Sequence, residues 1–354
     1  MTLPTVFFID LFTIIGLFAI ISMSLNLEFG YAGIPNFGKM LAVAGGAFFV
    51  GAVPGRVLML IFNPSGGVDF VQGNIEAVSM LNQYFSSDPA ASIAYLVLSL
   101  VGAGLAGAAL GYVASYPAIR LRGDYLAITL LAMAEILRVV GDNYPDFIGG
   151  SMGVRIPDPF RWVGGEARAL AAALTIIAVA VLVFLYLELA LRSPLGRVLR
   201  AMRDEELSAE VYGKDVVRLR TKTLVAGCAI AAVGGALYAF LTASVSARDF
   251  SRVTHTFWPW VMVIVGGAGN NVGALVGAGI FVTLRKLITF YKSYFEPYIP
   301  FDVVWLEYLL LGLALIVVLL HRPEGLVPER PTKTLARREL EEIVERVRSE
   351  ESPA

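Results

Sequence analysis

The feature that most restricts this chain is a series of long, almost uncharged apolar runs. They occupy residues 6–25, 33–53, 92–114, 169–191, 223–241 and 303–320. A helix rising about 1.5 Å per residue needs about 20 apolar residues to cross a hydrocarbon core of about 30 Å. Backbone amides find no water in that core, so such runs fold as helices that satisfy their own hydrogen bonds. The expected fold class is all-α: a polytopic integral membrane protein with about 8–10 membrane elements. Composition agrees, because only 16% of residues are charged where a soluble domain carries about 25%. Two further runs are less regular. Residues 123–140 form a shorter one that carries Glu135 and Arg138, and 258–288 form a longer one interrupted by glycines.

One cysteine (Cys228) and two histidines (His255, His321) supply neither a disulfide framework nor an ordinary metal site. No cofactor, no nucleic-acid partner and no covalent chemistry is expected. The first apolar run has no basic leader and no A-x-A site, and it reads as a retained anchor rather than a signal peptide.

Lys and Arg counts in the links set the orientation. Residues 192–222 hold eight, residues after 320 hold seven, and the short 115–123 link adds Arg120 and Arg122. These are expected on the cytoplasmic side, C-terminus included, at the cell membrane. Links 54–89, 141–166 and 242–257 hold one, two and two and are expected outside. Parity then requires 258–288 to start and finish outside. That implies a re-entrant or broken helix near 258–272, turning at Gly266-Gly267-Ala268-Gly269-Asn270-Asn271 and leaving Arg285, Lys286 and Lys292 near the outer face. Irregular backbone at membrane depth is tolerated where protein or a water-filled cavity covers it, and broken elements often mark a transport path. Gly30–Gly38 is a similar break, and the two hint at an internal repeat. Candidate path residues are therefore Gly33, Asn36, Lys39, Glu135, Gly266, Gly267, Gly269, Asn270 and Asn271. Lys39 could snorkel, pair with Glu28 or Glu135, or meet a substrate carboxylate. Glu135 could pair with Arg138 or line the path, while Glu188 is expected to pair with Arg192 and Asp10 to face headgroups.

Two nucleotide-binding patterns are false. Residues 33–40 match G-x-x-x-x-G-K but end in Met40 where a hydroxyl should hold Mg²⁺, and no strand precedes them. The Gly102-x-Gly104-x-x-Gly107 pattern lies inside an apolar run. Gly107 and Gly111, like Gly273 and Gly277, suit close helix approach instead. ATP must be hydrolysed by another chain, if at all, so the chain is not expected to be an enzyme. The loop 192–222 carries a helix expected to start at Ser193-Pro194 and stop at Gly213. It bears basic residues before and after the acidic Asp204, Glu205, Glu206 and Glu210. Such a helix is either a solvated surface element or a docking element for a partner. The excursion 54–89 includes an apolar 56–62 stretch suited to the membrane surface. The tail 329–354 reads as a separate charged unit, amphipathic over 332–350, following a membrane domain over 1–328.

The run 193–213 resembles the cytoplasmic coupling segment of LivM-type permeases, the branched-chain amino acid branch of the ABC importers. Four other stretches fit the same family in the same order. These are 30–46, Leu121-Arg-Gly-Asp-Tyr-Leu-Ala-Ile128 with Glu135-Ile-Leu-Arg138, Gly149-Gly-Ser-Met-Gly153, and 263–269 through Gly279. Arg322-Pro-Glu-Gly-Leu326 closes the series. The resemblance implies an amino-acid substrate, a second permease subunit of the LivH type, two ABC ATPase subunits and an extracytoplasmic solute-binding protein that largely sets selectivity. It implies that Arg200, Arg203, Asp204, Glu205, Glu206, Ala209, Glu210 and Gly213 couple to the ATPases. Pro35, Lys39 and the long 54–89 excursion depart from the family's usual pattern, so urea or short-amide transport remains an alternative. A secondary transporter with Glu135 as its midplane carboxylate is another.

Overall fold

The computed structural model describes residues 3–62, 69–165, 167–291 and 303–329. The expected tail helix at 332–350 and Lys292 lie outside the described residues. Helix α1 (Leu3–Leu25) continues as a π-helical segment, Asn26–Tyr31, before the chain breaks. Helix α2 (Lys39–Ala52) bends at Val53 into the short α3 (Pro54–Phe62). Then come α4 (Asn74–Ser87), the long α5 (Pro89–Arg120), α6 (Gly123–Asn143) and one turn, α7 (Pro145–Ile148). After strand β1 (Val154–Arg155) follow α8 (Ala167–Arg192), α9 (Pro194–Asp204), α10 (Glu206–Val211) and α11 (Val216–Thr242). Strand β2 (Ser244–Val245) leads to α12 (Trp258–Gly266), α13 (Asn271–Phe290) and α14 (Val303–His321).

The helices run between two ends. At one, β1 and β2 pair antiparallel, Arg56 donates to the Asp146 and Phe147 carbonyls, and Arg248 meets Asp142. This β end therefore gathers the three links expected to share the outer side. At the other end Glu206 meets Arg122 and Arg220, Arg203 and Arg200 meet Glu329, and Arg220 bonds the Ala118 carbonyl. This loop end gathers the Lys/Arg-rich links. Among the described residues six helices are long and apolar enough to cross a membrane. Helix α6 also joins the two ends, despite Glu135 and Arg138.

The parity argument has its counterpart in α12 and α13. Helix α12 descends to the loop end, the chain turns at 267–270, and α13 climbs back antiparallel until Lys286 meets Asp10 of α1 beside the β-end links. The hairpin is close because side chains are missing: a Cβ on Gly277 would lie 1.9 Å from the Met262 carbonyl oxygen, and one on Gly266 2.0 Å from that of Gly273. Helix α2 is the centre of the molecule. All but one of its residues are buried, and it packs on α5, α6 and α11. A Cβ on Gly235 of α11 would sit 1.8 Å from the Val43 carbonyl oxygen, so these two backbones touch. Gly107 and Gly111 bring α5 close to α11 as well, a Cβ on each lying 2.6 Å from the Cys228 and 2.7 Å from the Leu224 carbonyl oxygen respectively. Lipid offers no hydrophobic drive between helices, so close van der Waals packing of this kind holds them together.

The break expected over 30–38 occupies residues 32–38, so α2 begins at Lys39 within the apolar run. One local expectation changes. The loop helix is two helices, not one. Glu205 adopts an extended backbone, ends α9 and caps α10 by accepting from the Leu207 amide at 3.3 Å. Ser193 caps α9 as expected, and Gly213 has φ +73° beyond α10.

The hairpin course of α12 and α13 fixes which positions share a side. Cys228 is 2% exposed and is shielded from a membrane-impermeant maleimide. Single cysteines at Tyr291, Ser79 and Ser251 are expected to label from one side of the membrane and one at Ser208 only from the other. Labelling of positions 291 and 208 from the same side would mean that 258–290 crosses once.

Candidate functional site

The two breaks, more than 200 residues apart in sequence, abut each other at the loop end. Asn26 sits in the π-helical segment, where the widened turn aims its amide across at the 267–270 turn. Its Oδ1 accepts from the Gly269 amide at 2.9 Å, and its Nδ2 donates to Asn271 Oδ1 at 3.1 Å. Asn271 in turn donates to Glu188 at 3.2 Å, and Glu188 is held by Arg192 of the same helix. Gly30 is required here, since a Cβ would lie 2.4 Å from the Gly269 nitrogen. Asn270 bonds in a different direction, with its Oδ1 capping α13 at the Val272 amide and its Nδ2 donating to the Pro328 carbonyl. Gly266 accepts from the Val327 amide and Val265 from that of Leu326. A Cβ on Gly267, at φ +118°, would strike the Val327 carbonyl. The Arg322–Leu326 stretch and its continuation thus close the second break.

One step deeper lies a fully buried ion pair. Lys39, the first residue of α2, reaches Glu28 at 2.9 Å, and neither side chain touches solvent. Asn36 donates to the same carboxylate oxygen at 2.9 Å and braces the turn by accepting from the Gly38 amide. Cys228 Sγ lies 3.8 Å from the other oxygen. Gly227 makes the room, because a Cβ there would lie 2.1 Å from Glu28 Oε1. Trp260 of α12 donates to the Asn36 carbonyl, and Thr256 accepts from the Met40 amide. Of the open choices for Lys39, pairing with Glu28 is the one adopted.

Glu135 stands apart from both breaks. It pairs with Arg138 at 2.5 Å and faces Arg252 at 3.5 Å, half-buried on α6. Asp10 does not simply face headgroups, since it pairs with Lys286.

Arg203 of α9 joins the loop to both breaks. Its Nη1 donates to the Gly30 carbonyl at 2.5 Å and meets Glu329 at 2.9 Å, while Nε meets Asp204 at 3.0 Å. Burial lowers its pKa, and the bonds to Asp204 and Glu329 more than offset that, so the guanidinium is held charged above its ordinary range. Gly33, at φ +69°, would place a Cβ 2.9 Å from Arg203 Cγ, and a Cβ on Gly269 would lie 3.2 Å from Nη1. Arg200 pairs with Glu329 at 2.8 Å and lies over the Tyr31 ring. Glu206 is occupied by Arg220 and Arg122, Ala209 is buried, and Asp204, Glu205, Glu210 and Gly213 are exposed. Sequence reasoning about charges missed three apolar residues on this loop: Leu207, Val211 and Tyr212 are 67%, 78% and 82% exposed. The i, i+4 spacing of Leu207 and Val211 between the charged positions was the available signal. It also missed Asn26, whereas Glu28 was among the partners expected for Lys39.

A buried pair that loses one member leaves an uncompensated charge, which costs about 3–5 kcal/mol. Glu28→Gln and Lys39→Met are each expected to lower the melting temperature of the purified protein markedly, with the double variant recovering most of the loss. A thermal-denaturation double-mutant cycle measures this. Additive losses would show that the two side chains do not act as a pair.

The chain matches the family model for the branched-chain amino acid transport system permease component over residues 7–319. It is 42% identical to the probable branched-chain amino acid transport permease protein LivM of Methanocaldococcus jannaschii, over 92% of this chain and 96% of that one. It is 25% identical to the high-affinity branched-chain amino acid transport system permease protein LivM of Escherichia coli, over 90% of this chain and 70% of the relative. A high-affinity branched-chain amino acid transport system permease protein LivH of E. coli is 26% identical over 66% of this chain and 80% of that one. No solved structure matches the chain. Since the family model spans most of its length and the M. jannaschii relative nearly all of it, this chain belongs to the branched-chain amino acid transport system permease family.

Proposed function

We propose that this chain is a permease subunit of an ABC importer that carries branched-chain amino acids into the cell, with residues 1–328 in the membrane and a cytoplasmic tail at 329–354. Its partners are a LivH-type second permease, two ATPase subunits and an extracytoplasmic solute-binding protein. The observation that carries the reading is the Arg203 joint: one guanidinium on a loop helix bonds the first break through Gly30 and lies against the second at Gly269. Movement imposed on α9 and α10 is thereby passed to both breaks. The coupling surface is Leu207, Val211 and Tyr212 rimmed by Glu205, Glu210 and Arg218, an exposed apolar knob on a polar loop. Gly33, Asn36, Lys39, Gly266, Gly267, Gly269, Asn270 and Asn271 border the path, closed in this conformation. Glu135 pairs with two arginines, which does not favour a secondary transporter. At the opposite end α4 lies across β1, tied by Asn74 to the Arg155 amide and carbonyl. A cavity of about 840 Å³ beside it, with Ile75, Met80 and Met152 on its wall, suits the solute-binding protein.

The test is ATP hydrolysis by the purified complex with and without loaded binding protein. An apolar anchor at an interface is worth about 2 kcal/mol or more, so Leu207→Asp is expected to lower stimulation at least tenfold. Gly213→Val adds a strained left-handed backbone costing about 1–2 kcal/mol and is expected to act the same way. Normal stimulation in both variants would return the loop to an ordinary surface. Uptake of radiolabelled leucine, urea and acetamide by the reconstituted complex decides the substrate, with leucine expected to be transported and the other two excluded.

A further inference from the structure

At the β end, α1, α8, α11 and α13 enclose a cavity of about 860 Å³, within the range of about 300–1,000 Å³ typical of small-molecule sites. Phe7, Phe160, Phe240 and Phe290 give it an apolar lining. Two ion pairs stand in its wall: Asp10 with Lys286, and Asp158 with Arg168. The second is built with care. Asp158 is 8% exposed, accepts from the Phe160 amide at 2.8 Å, and donates its own amide to Asn82 of α4 at 2.8 Å. Arg168 and Asp10, by contrast, are 40% and 43% exposed, so each can exchange its partner for a ligand.

We propose that this cavity receives the cargo, binding a zwitterionic amino acid with an aliphatic side chain. Arg168 takes the carboxylate, Asp10 takes the ammonium, and the phenylalanines enclose the side chain. This rests on the transport reading above and extends it to a site that sequence reasoning did not consider. Helices α8 and α13 both pack on α1, and at the loop end Asn26, Asn271 and Glu188 join α13 and α8 to the π-helical end of α1. The link from Asn82 to Asp158 also ties the cavity to α4, where the binding protein is proposed to dock.

A zwitterionic phospholipid headgroup has the same charge pattern, and the experiment separates the two. In the assembled complex an Ala172→Cys side chain on the cavity wall is labelled by a membrane-impermeant maleimide. Leucine is expected to slow labelling severalfold, whereas leucinol, which lacks the carboxylate, and urea are not. A charge-assisted contact is worth about 1.5–3 kcal/mol, so adding Arg168→Gln is expected to raise the half-protecting leucine concentration about tenfold or more. Should that variant fail to assemble, the comparison of leucine with leucinol alone carries the test. Unchanged labelling with leucine, equal protection by leucinol, or a tightly retained phosphatidylethanolamine seen by native mass spectrometry together with no leucine protection overturns the proposal. Leucine uptake by the same complex without protection overturns the cavity alone. Urea uptake without leucine uptake overturns the transport reading as well.

Discussion

The architecture depends on an ion pair sealed from water. Moving Glu28 and Lys39 out of solvent costs several kcal/mol per charge, and their attraction offsets this only if the remaining polar atoms are also satisfied. The surrounding sequence serves that requirement. Asn36 supplies a second donor to the carboxylate, and the missing side chain at Gly227 leaves it space. The π-helical turn carries Glu28 inward, and the break at 32–38 allows α2 to start with Lys39 facing back toward it. An unbroken helix through these residues would separate the charges along its axis. The break and the pair therefore require one another. Because α2 is the central helix, the pair also sets the depth at which the core is threaded.

A second consequence concerns communication along the molecule. Irregular backbone leaves carbonyls and amides without helical partners, and each must find another. At the first break the Gly30 carbonyl takes the Arg203 guanidinium. At the second, the 265–266 carbonyls take the amides of Leu326 and Val327. The partners come from α9 and from the segment after α14, and these are themselves joined through Glu329. Satisfying the broken backbone thus fastens the polar loop and the last described residues to the membrane core. In a permease, a load applied to the loop has this short polar route inward.

Much of this was legible in the sequence because it follows from local periods. The apolar runs gave the membrane helices, the Lys/Arg asymmetry sorted the links into the two groups found at the two ends, and parity required the hairpin of α12 and α13. Pairs at i, i+3 and i, i+4, Glu135 with Arg138 and Glu188 with Arg192, were readable from helix geometry. Contacts between distant segments were not. Nothing local places Asn26 against Gly269, or Asp10 against Lys286, since those meetings are decided by how helices pack. The interruption at Glu205 was missed because a carboxylate just before a helix can be either its cap or a member of the preceding turn. The charge pattern does not single out Leu207, Val211 and Tyr212, whose exposure depends on which face α10 turns away from the rest of the fold.

Where this fold can move follows from how its parts are held. Helices α2, α5 and α11 meet backbone to backbone at Gly46, Gly107, Gly111 and Gly235, and α12 meets α13 the same way at Gly266, Gly273 and Gly277. Close-packed surfaces of this kind cannot slide by a fraction of a turn without driving atoms into overlap, so each group shifts as a unit. Between the groups hydrogen bonds stand beside ring packing. Trp260 to the Asn36 carbonyl, Thr256 to the Met40 amide and Asn26 to Gly269 and Asn271 are hydrogen bonds. Each is worth about 0.5–1.5 kcal/mol net, and each has partners that water or a solute can replace. Rearrangement along this boundary exchanges these polar partners and also the contacts of the Trp260 ring with Phe29 and Phe37, whose centroids lie 4.3 Å away. The same boundary is where the two breaks meet and where Arg203 arrives from the loop, so the replaceable hydrogen bonds, the irregular backbone and the polar link from the loop coincide.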